Sequence, residues 1–256
     1  MKKSFCLTML LVILHGISIA QNNTYSKETL IEGADSLRYR LLLPENFDPA
    51  MKYPVLFFLH GSGERGNDNE AQLIHGGNLF QSKEVRSGFP AIVVFPQCPK
   101  NDFWANVKFG TGADRFMFQQ GGDPGKAMKQ LLNLVDHFRS LKYTDRDQFY
   151  IGGLSMGGMG TLEVLRRKPK VFAAAFSICG GDNVANVKKY RKVPLWFFHG
   201  GKDTAVPPER SQVVVAELQK YKSPVKLTMY PDAGHNSWDA AFAEPELLPW
   251  LFSHKK

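Results

Sequence analysis

The sequence predicts an α/β fold in three layers, with helices on both faces of a mostly parallel sheet. Short apolar runs alternate with amphipathic segments from residue 36 to the C-terminus. Three of these runs, at residues 55–59, 91–95 and 195–198, are apolar at every position, which is typical of strands buried on both faces of a parallel sheet. Glycine-rich segments follow several runs. In such a sheet the carboxyl ends of the strands carry the functional residues, so we expect the site there.

The predicted strands each end in a polar or turn-forming segment. In chain order they cover residues 36–43, 55–59, 91–95, 148–152, 173–178, 195–198 and 225–230. The intervening segments repeat apolar residues at three- and four-residue spacing, which predicts helices. These helices cover residues 124–141, 157–167, 208–221 and 238–252.

Composition predicts a globular chain with a sizeable core. Hydrophobic residues make up 43% and aromatic residues 12% of the 256 residues, which excludes disordered and fibrous classes. The formal net charge of +8 is scattered, and its densest runs lie at residues 166–170 and 188–192. We interpret these runs as solvated helix ends or loops and expect no nucleic-acid partner.

The first 20 residues predict a signal peptide, followed by one catalytic domain over residues 21–256. Lys2 and Lys3 precede an apolar run at residues 5–14, and Ser18 and Ala20 form a small-residue cleavage site. The run is short for a membrane span. We therefore expect a periplasmic or extracellular protein with no stable membrane insertion after cleavage.

A glycine-flanked serine is the candidate nucleophile. Residues 153–157 read Gly-Leu-Ser-Met-Gly, between a predicted strand and a predicted helix. This G-x-S-x-G pattern holds a serine hydroxyl out of a sharp turn, and glycines at its ends let strand and helix pass closely. Ser155 is the predicted nucleophile.

A serine hydroxyl needs a base, and the base needs an orienting carboxylate. His235 follows the last predicted strand, and Asp203 follows the one before it. We predict His235 as base and Asp203 as acid, giving the chain order Ser155, Asp203, His235. Asp182, after the strand at 173–178, is the alternative acid.

Two backbone N–H groups are expected to stabilise the oxyanion. One belongs to Met156, directly after the nucleophile. The other is assigned to Ser62, in the glycine-rich loop at residues 60–66 that follows an earlier strand.

Four segments carry a family resemblance: His-Gly-Ser-Gly-Glu-Arg-Gly at 60–66, the serine turn at 153–157, His-Gly-Gly-Lys-Asp at 199–203 and Gly-His-Asn-Ser-Trp at 234–238. They resemble α/β-hydrolases of the phospholipase/carboxylesterase and feruloyl-esterase-like group, some of which are labelled predicted peptidases. The resemblance implies an α/β-hydrolase fold with eight strands in the order 1-2-4-3-5-6-7-8. Only residues 180–193 separate the sixth strand from the seventh. In many α/β-hydrolases a lid is inserted at this point, so we expect no large lid here.

The implied strand order also concerns two cysteines. Cys98 would follow strand 4 and Cys179 strand 6. Strands 3 and 5 lie between them, so the two strand ends are three strand spacings apart, which is too far for a disulfide. We expect both thiols to be unpaired and buried. Trp104 and Trp238 are candidates for an aromatic platform under the substrate, with simple packing as the alternative for each.

The leading functional hypothesis is an exported serine esterase that acts on small-molecule or polysaccharide-attached esters, including acyl or feruloyl groups. A serine peptidase and a non-catalytic carbohydrate-binding protein on the same scaffold are the alternatives. The sequence shows no metal-ligand spacing and no nucleotide-binding signature, so we expect no metal and no cofactor.

Overall fold

The computed structural model describes residues 24–112 and 115–256. The predicted signal peptide at residues 1–20 lies outside the described residues. Within the described part of the chain, no helix has the length and apolarity needed to cross a membrane.

Ten strands form in the described residues, and eight of them make one sheet. They are Ser26–Glu32 (β1), Asp35–Leu42 (β2), Tyr53–Leu59 (β3), Ile92–Pro96 (β4), Val107–Phe109 (β5), Phe116–Phe118 (β6), Thr144–Leu154 (β7), Ala174–Ile178 (β8), Leu195–Gly200 (β9) and Val225–Tyr230 (β10). The order in the sheet is β1-β2-β4-β3-β7-β8-β9-β10. Strands β3, β4 and β7 to β10 pair in parallel, while β1 and β2 are antiparallel. The predicted α/β-hydrolase order is confirmed.

Helices cover both faces of this sheet. They are Gly77–Gln81 (α1), Lys83–Gly88 (α2), Lys126–Ser140 (α3), Met156–Arg167 (α4), Glu209–Lys220 (α5), Trp238–Phe242 (α6) and Leu247–Ser253 (α7). Alternate residues of β3 belong to different cores, because side chains along a strand point to opposite faces. Phe57 packs in one core with Leu131 of α3, and Phe58 packs in the other with Phe80 of α1.

Several elements differ from the sequence prediction. The predicted helix at 238–252 is two helices, α6 and α7, separated by a segment containing Pro245. Proline lacks the N–H that continues a helix, which accounts for the break. The residues of the edge strand β1 were not located from the sequence, and the short helices α1 and α2 and the hairpin of β5 and β6 were not predicted. The two hairpin strands have three residues each, too few for a periodic signal.

The two cysteines are unpaired, as predicted. Cys98 follows β4 and Cys179 follows β8, with β3 and β7 between these strands. Both thiols are free and fully buried. Burial raises the pKa of both thiols, so both stay protonated near neutral pH.

Helix α4 approaches the backbone of β3 so closely that position 157 has no room for a side chain. A Cβ at Gly157 would lie 1.9 Å from the carbonyl oxygen of Leu59. Because both atoms belong to the backbone, Gly157→Ala has no flexible neighbour to displace. We expect it to lower the free energy of unfolding by about 3 kcal/mol or more, measured by urea denaturation.

Gly88→Ala is the matched control, since a Cβ at Gly88 meets nothing within 4 Å. It should change the free energy of unfolding by less than about 1 kcal/mol. If the two variants had the same free energy of unfolding, the close packing of Gly157 against Leu59 would not be the reason for the glycine.

Candidate active site

Ser155 occupies a strained turn between β7 and α4. Its φ of 53° and ψ of −118° lie in a region that residues with a side chain rarely adopt. The backbone N–H of Ser155 donates to the carbonyl of Ile178 at 2.8 Å, and its carbonyl accepts from Met159 at 3.0 Å. These bonds to β8 and α4 fix the strained turn and hold the hydroxyl away from both elements.

The glycines around the serine are required by contact with neighbouring backbone. A Cβ at Gly153 would lie 2.4 Å from the carbonyl oxygen of Gly157, and one at Gly158 would lie 2.7 Å from that of Ile178. Side chains at these positions would push α4 away from the sheet. The G-x-S-x-G spacing is therefore a packing requirement as well as a chemical signature.

His235 lies in a loop that follows β10 and returns to the edge of the sheet. The loop approaches β9 so closely that a Cβ at Gly200 would lie 2.1 Å from the carbonyl oxygen of Gly234. The N–H of Lys202 donates to the carbonyl of Ala233 at 2.9 Å. Glycine at position 200 thus allows the loop to place His235 beside the ends of the central strands.

The structure brings the three predicted residues into one hydrogen-bonded chain. The Nε2 atom of His235 lies 3.0 Å from the Oγ atom of Ser155. Its Nδ1 atom lies 2.7 Å from the Oδ2 atom of Asp203. When Nδ1 carries the hydrogen and donates it to Asp203, Nε2 is free to accept the Ser155 proton. Hydroxyl, imidazole and carboxylate in this order are the arrangement that general-base activation of a serine requires.

Asp203 is held as a buried carboxylate. Its side chain is shielded from solvent, and its Oδ1 atom accepts from the N–H groups of Ala205 and Val206, each at 2.9 Å. Burial alone would raise the pKa of Asp203. Hydrogen bonds from His199, His235 and Val206 outweigh burial and hold the pKa of this carboxyl well below its usual range. Asp203 is therefore ionised at neutral pH.

Asp182, the alternative acid, has other partners. Its Oδ1 atom accepts from Asn183 and Asn186, and its Oδ2 atom accepts from the Tyr190 hydroxyl at 2.9 Å. Burial raises the pKa of Asp182 to about 6 in spite of these hydrogen bonds. The carboxylate that contacts His235 is that of Asp203.

Two other histidines, His60 and His199, brace loops near the site. His60 accepts from the N–H of Cys98 at 2.9 Å, and burial lowers its pKa to about 4. His199 contacts the Oγ atom of Ser211 at 2.8 Å and the carbonyl of Val206 at 2.9 Å. His199 thereby fixes the loop that carries Asp203.

Ser62 and Met156 lie beside Ser155, around one cavity of about 160 Å³. Each is the first residue of a helical segment, Ser62–Glu64 in a 3₁₀ turn and Met156–Arg167 in α4. The first N–H groups of a helix have no partner within the helix. Both N–H groups are thus available in the neighbourhood of the Ser155 hydroxyl.

The sequence prediction missed the wall of this cavity. Phe109, Arg115 and Phe116 line it from the β5–β6 hairpin, together with Phe103 and Met159. Between β8 and β9 the chain forms only the short 3₁₀ turn Val184–Lys189, so no large lid follows β8. The hairpin is inserted after β4 instead. Its strands are too short for a periodic signal, and only the concentration of phenylalanines at 103, 109, 116 and 118 could have indicated it.

The two tryptophans have different surroundings. The prediction of an aromatic platform is corrected for Trp104, whose side chain is fully buried and packs edge-on against His60 with ring centroids 5.6 Å apart. Close packing against Gly160 accounts for this burial. Trp238 is half-buried. Its ring centroid lies 5.4 Å from that of His235 and 4.9 Å from that of His75. Substrate contact by Trp238 stays a prediction.

One group of described residues offers three potential metal ligands. The Cys179 sulfur and ligand atoms of Asp203 and His235 lie within 4.8 Å of one another. Asp203 and His235 are bound to one another in the Ser155 chain, and the protonated Cys179 thiol is a poor ligand. This donor set is thus better suited to orienting the imidazole than to holding an ion.

Comparison with known proteins adds named relatives. A bifunctional acetylxylan esterase/xylanase of Neocallimastix patriciarum is 29% identical over 208 residues, covering 81% of this chain and 27% of that protein. A thermostable esterase of known structure is 31% identical with a TM-score of 0.82, covering 91% of this chain and 64% of that one. The chain thus spans about a quarter of the first protein and less than two thirds of the second.

A ferulic acid esterase structure is 20% identical, with a TM-score of 0.67 over 90% of this chain and 98% of that one, which shows a shared fold. The sequence pattern of the dienelactone hydrolase family matches residues 85–246, more than half of the chain. That match includes the Ser155 turn, Asp203 and His235. The chain belongs to the dienelactone hydrolase family.

Proposed function

We propose that this protein is an exported serine esterase that cleaves carboxylic esters through an acyl-enzyme intermediate. The observation that carries the proposal is the continuous chain from the Ser155 hydroxyl through His235 to the buried Asp203 carboxylate. A carbohydrate-binding protein without catalysis would have no need of a strained serine that is hydrogen-bonded to a histidine and, through it, to a carboxylate. The esterases among the relatives support the same reaction class.

In the proposed first step, the Ser155 oxygen attacks the ester carbonyl carbon while His235 Nε2 takes the hydroxyl proton. The ionised Asp203 stabilises the imidazolium that forms. The N–H groups of Ser62 and Met156 donate to the oxyanion, aided by the positive N-terminal end of α4. His235 then gives its proton to the departing alcohol oxygen, which leaves the acyl group on Ser155.

In the second step, His235 takes a proton from water, and the resulting hydroxide attacks the acyl carbon. The bond to the Ser155 oxygen breaks, and that oxygen recovers the proton from His235. The products are a carboxylic acid and an alcohol. The reaction needs no oxidant, reductant or cofactor.

The cavity beside Ser155 favours an apolar or aromatic acyl group. Phe103, Phe109 and Phe116 supply its aromatic surface, and the absence of a large lid leaves it accessible to an ester attached to a polymer. We therefore propose acyl or feruloyl esters, free or on polysaccharides, as the substrate class. Export through the predicted signal peptide would bring the enzyme to such polymers.

The first test is hydrolysis of p-nitrophenyl acetate, p-nitrophenyl butyrate and methyl ferulate by the wild type and Ser155→Ala. Removing the nucleophile should lower kcat/KM by about 10⁴-fold or more without changing the circular dichroism spectrum. A folded Ser155→Ala protein with full activity would exclude this serine. Faster cleavage of peptide amides than of esters would favour the peptidase alternative.

A second prediction separates the Ser62 backbone from its side chain. Ser62→Pro removes the N–H at the first position of a 3₁₀ turn, where proline is tolerated and the preceding Gly61 is already extended. We expect kcat to fall by about 10²- to 10³-fold, because one oxyanion donor is lost.

Ser62→Ala keeps the N–H and should stay within about threefold of the wild type. If both substitutions at position 62 reduced kcat equally, the side chain and not the backbone would be responsible.

A third prediction distinguishes the two candidate acids. Asp203→Asn can no longer hold the His235 tautomer and stabilise the imidazolium, so kcat should fall by about 10³- to 10⁴-fold. Asp182→Asn removes a carboxylate that bonds to Asn186 and Tyr190 and should retain activity within about tenfold. The reverse order of activities would make Asp182 the catalytic acid.

A further inference from the structure

A groove that is larger than the cavity beside Ser155 lies elsewhere on the protein. Its volume is about 550 Å³, and it shares no lining residue with the cavity at the serine. Four segments meet there: the chain directly after β6, helix α3, the C-terminal end of α4 and the 3₁₀ turn between β8 and β9. The lining residues are Gln120, Gly121, Gly122, Leu132, Arg166, Arg167, Ala185, Asn186 and Lys189.

The lining of this groove carries positive charge. Arg166, Arg167 and Lys189 contribute three cations, and none of the lining residues is acidic. Glu163, which is not part of the lining, pairs with Arg167 at 2.6 Å and with Arg166 at 2.9 Å. Asp182 is close enough to Arg166 to interact with its charge. Lys189 is exposed and makes no ion pair with a described residue, so its charge is uncompensated.

Arg166 is the unusual member of the set. Its side chain is only 6% exposed, and its Nε atom is buried without a hydrogen-bond partner among the described residues. Its Nη1 atom lies 4.0 Å from the position that a Cβ would take at Gly121, on the wall of the groove. A buried guanidinium with unused donors is costly unless an acceptor reaches it. Arg166 is one of the residues that line the groove, so an acceptor bound there would lie next to its guanidinium group.

Arg167 is already occupied. It donates to Glu163 through Nε and Nη2 and to the carbonyl of Gly122 at 3.0 Å. Asn186 likewise bonds to Gln119, Gly121 and Asp182. These bonds fix the frame of the groove, whereas Arg166 and Lys189 keep donors for a ligand.

We propose that this groove is a binding site for an oxyanion, either a carboxylate or a phosphate group, held by Arg166 and Lys189. Guanidinium and ammonium groups bind such oxygens through short, charge-assisted hydrogen bonds. An acidic saccharide and a phosphorylated molecule both present this chemistry. The site does not depend on the proposed esterase function, since none of its residues belongs to the Ser155 chain.

The test is isothermal titration calorimetry of the whole protein at pH 7.5 and constant ionic strength, with sodium glucuronate and sodium phosphate as separate probes. We expect saturable binding of at least one probe at millimolar concentration. Lys189→Gln should weaken it by about fivefold or more. Lys188→Gln is the matched control, because Lys188 is exposed and adjacent but does not line the groove. The Lys188→Gln variant should bind the probe with the same affinity as the wild type.

Arg166→Gln should abolish binding, and circular dichroism will verify its fold because the substitution also breaks the pair with Glu163. The Lys189 result stands independently of that variant. Binding of glucuronate, alone or with phosphate, supports a carboxylate ligand, and binding of phosphate alone supports a phosphorylated one. Absence of saturation by both probes up to about 50 mM would overturn the proposal. Equal losses in Lys188→Gln and Lys189→Gln would also overturn it, since the attraction would then be that of general surface charge.

Discussion

The contact between the N-terminal end of α4 and the backbone of β3 is the constraint on which the rest of the site depends. Glycine at position 157 lets the helix approach the Leu59 carbonyl, and the chain must then turn sharply at Ser155 to enter the helix. The same approach places Met156 at the start of α4, beside the loop that begins after β3. The serine, the backbone of Met156 and the loop are thus positioned by one packing requirement.

A second level of organisation is electrostatic. Asp203 lies in a buried position that would disfavour its charge, and donors from three neighbouring residues more than compensate. One of these donors is His235 itself, so the imidazole is oriented by the group whose ionisation it helps to stabilise. His199 contributes from the preceding strand end, and it is held in turn by Ser211 of α5. The hydrogen bonds of this network position the imidazole of His235, whose Nε2 atom lies within hydrogen-bonding distance of the Ser155 hydroxyl.

The sequence was sufficient to locate elements of the fold and of the site where backbone sterics allowed few residue types at a position. The apolar runs located β3, β4 and β7 to β10, and the glycines at 153 and 157 located the serine turn. The positions of Asp203 and His235 after successive strands followed from topology. The burial of Trp104 was not predictable in this way, because an aromatic residue after a strand suits a core as well as a cleft. The hairpin was missed because its pairing is set by partners across a turn and not by a periodic run.

The described residues of the β5–β6 hairpin form no backbone pairs with the main sheet, although they supply much of the wall beside Ser155. Under the proposed function, reaction chemistry and acyl recognition therefore reside in parts of the chain that belong to different sheets. Substitutions at Phe109 or Phe116 can reshape the recognised group without altering the register of any strand that positions the serine, the histidine or the aspartate. In the proposed esterase, this separation would let new ester preferences arise through one short insertion while the strands that position Ser155, Asp203 and His235 stay unchanged.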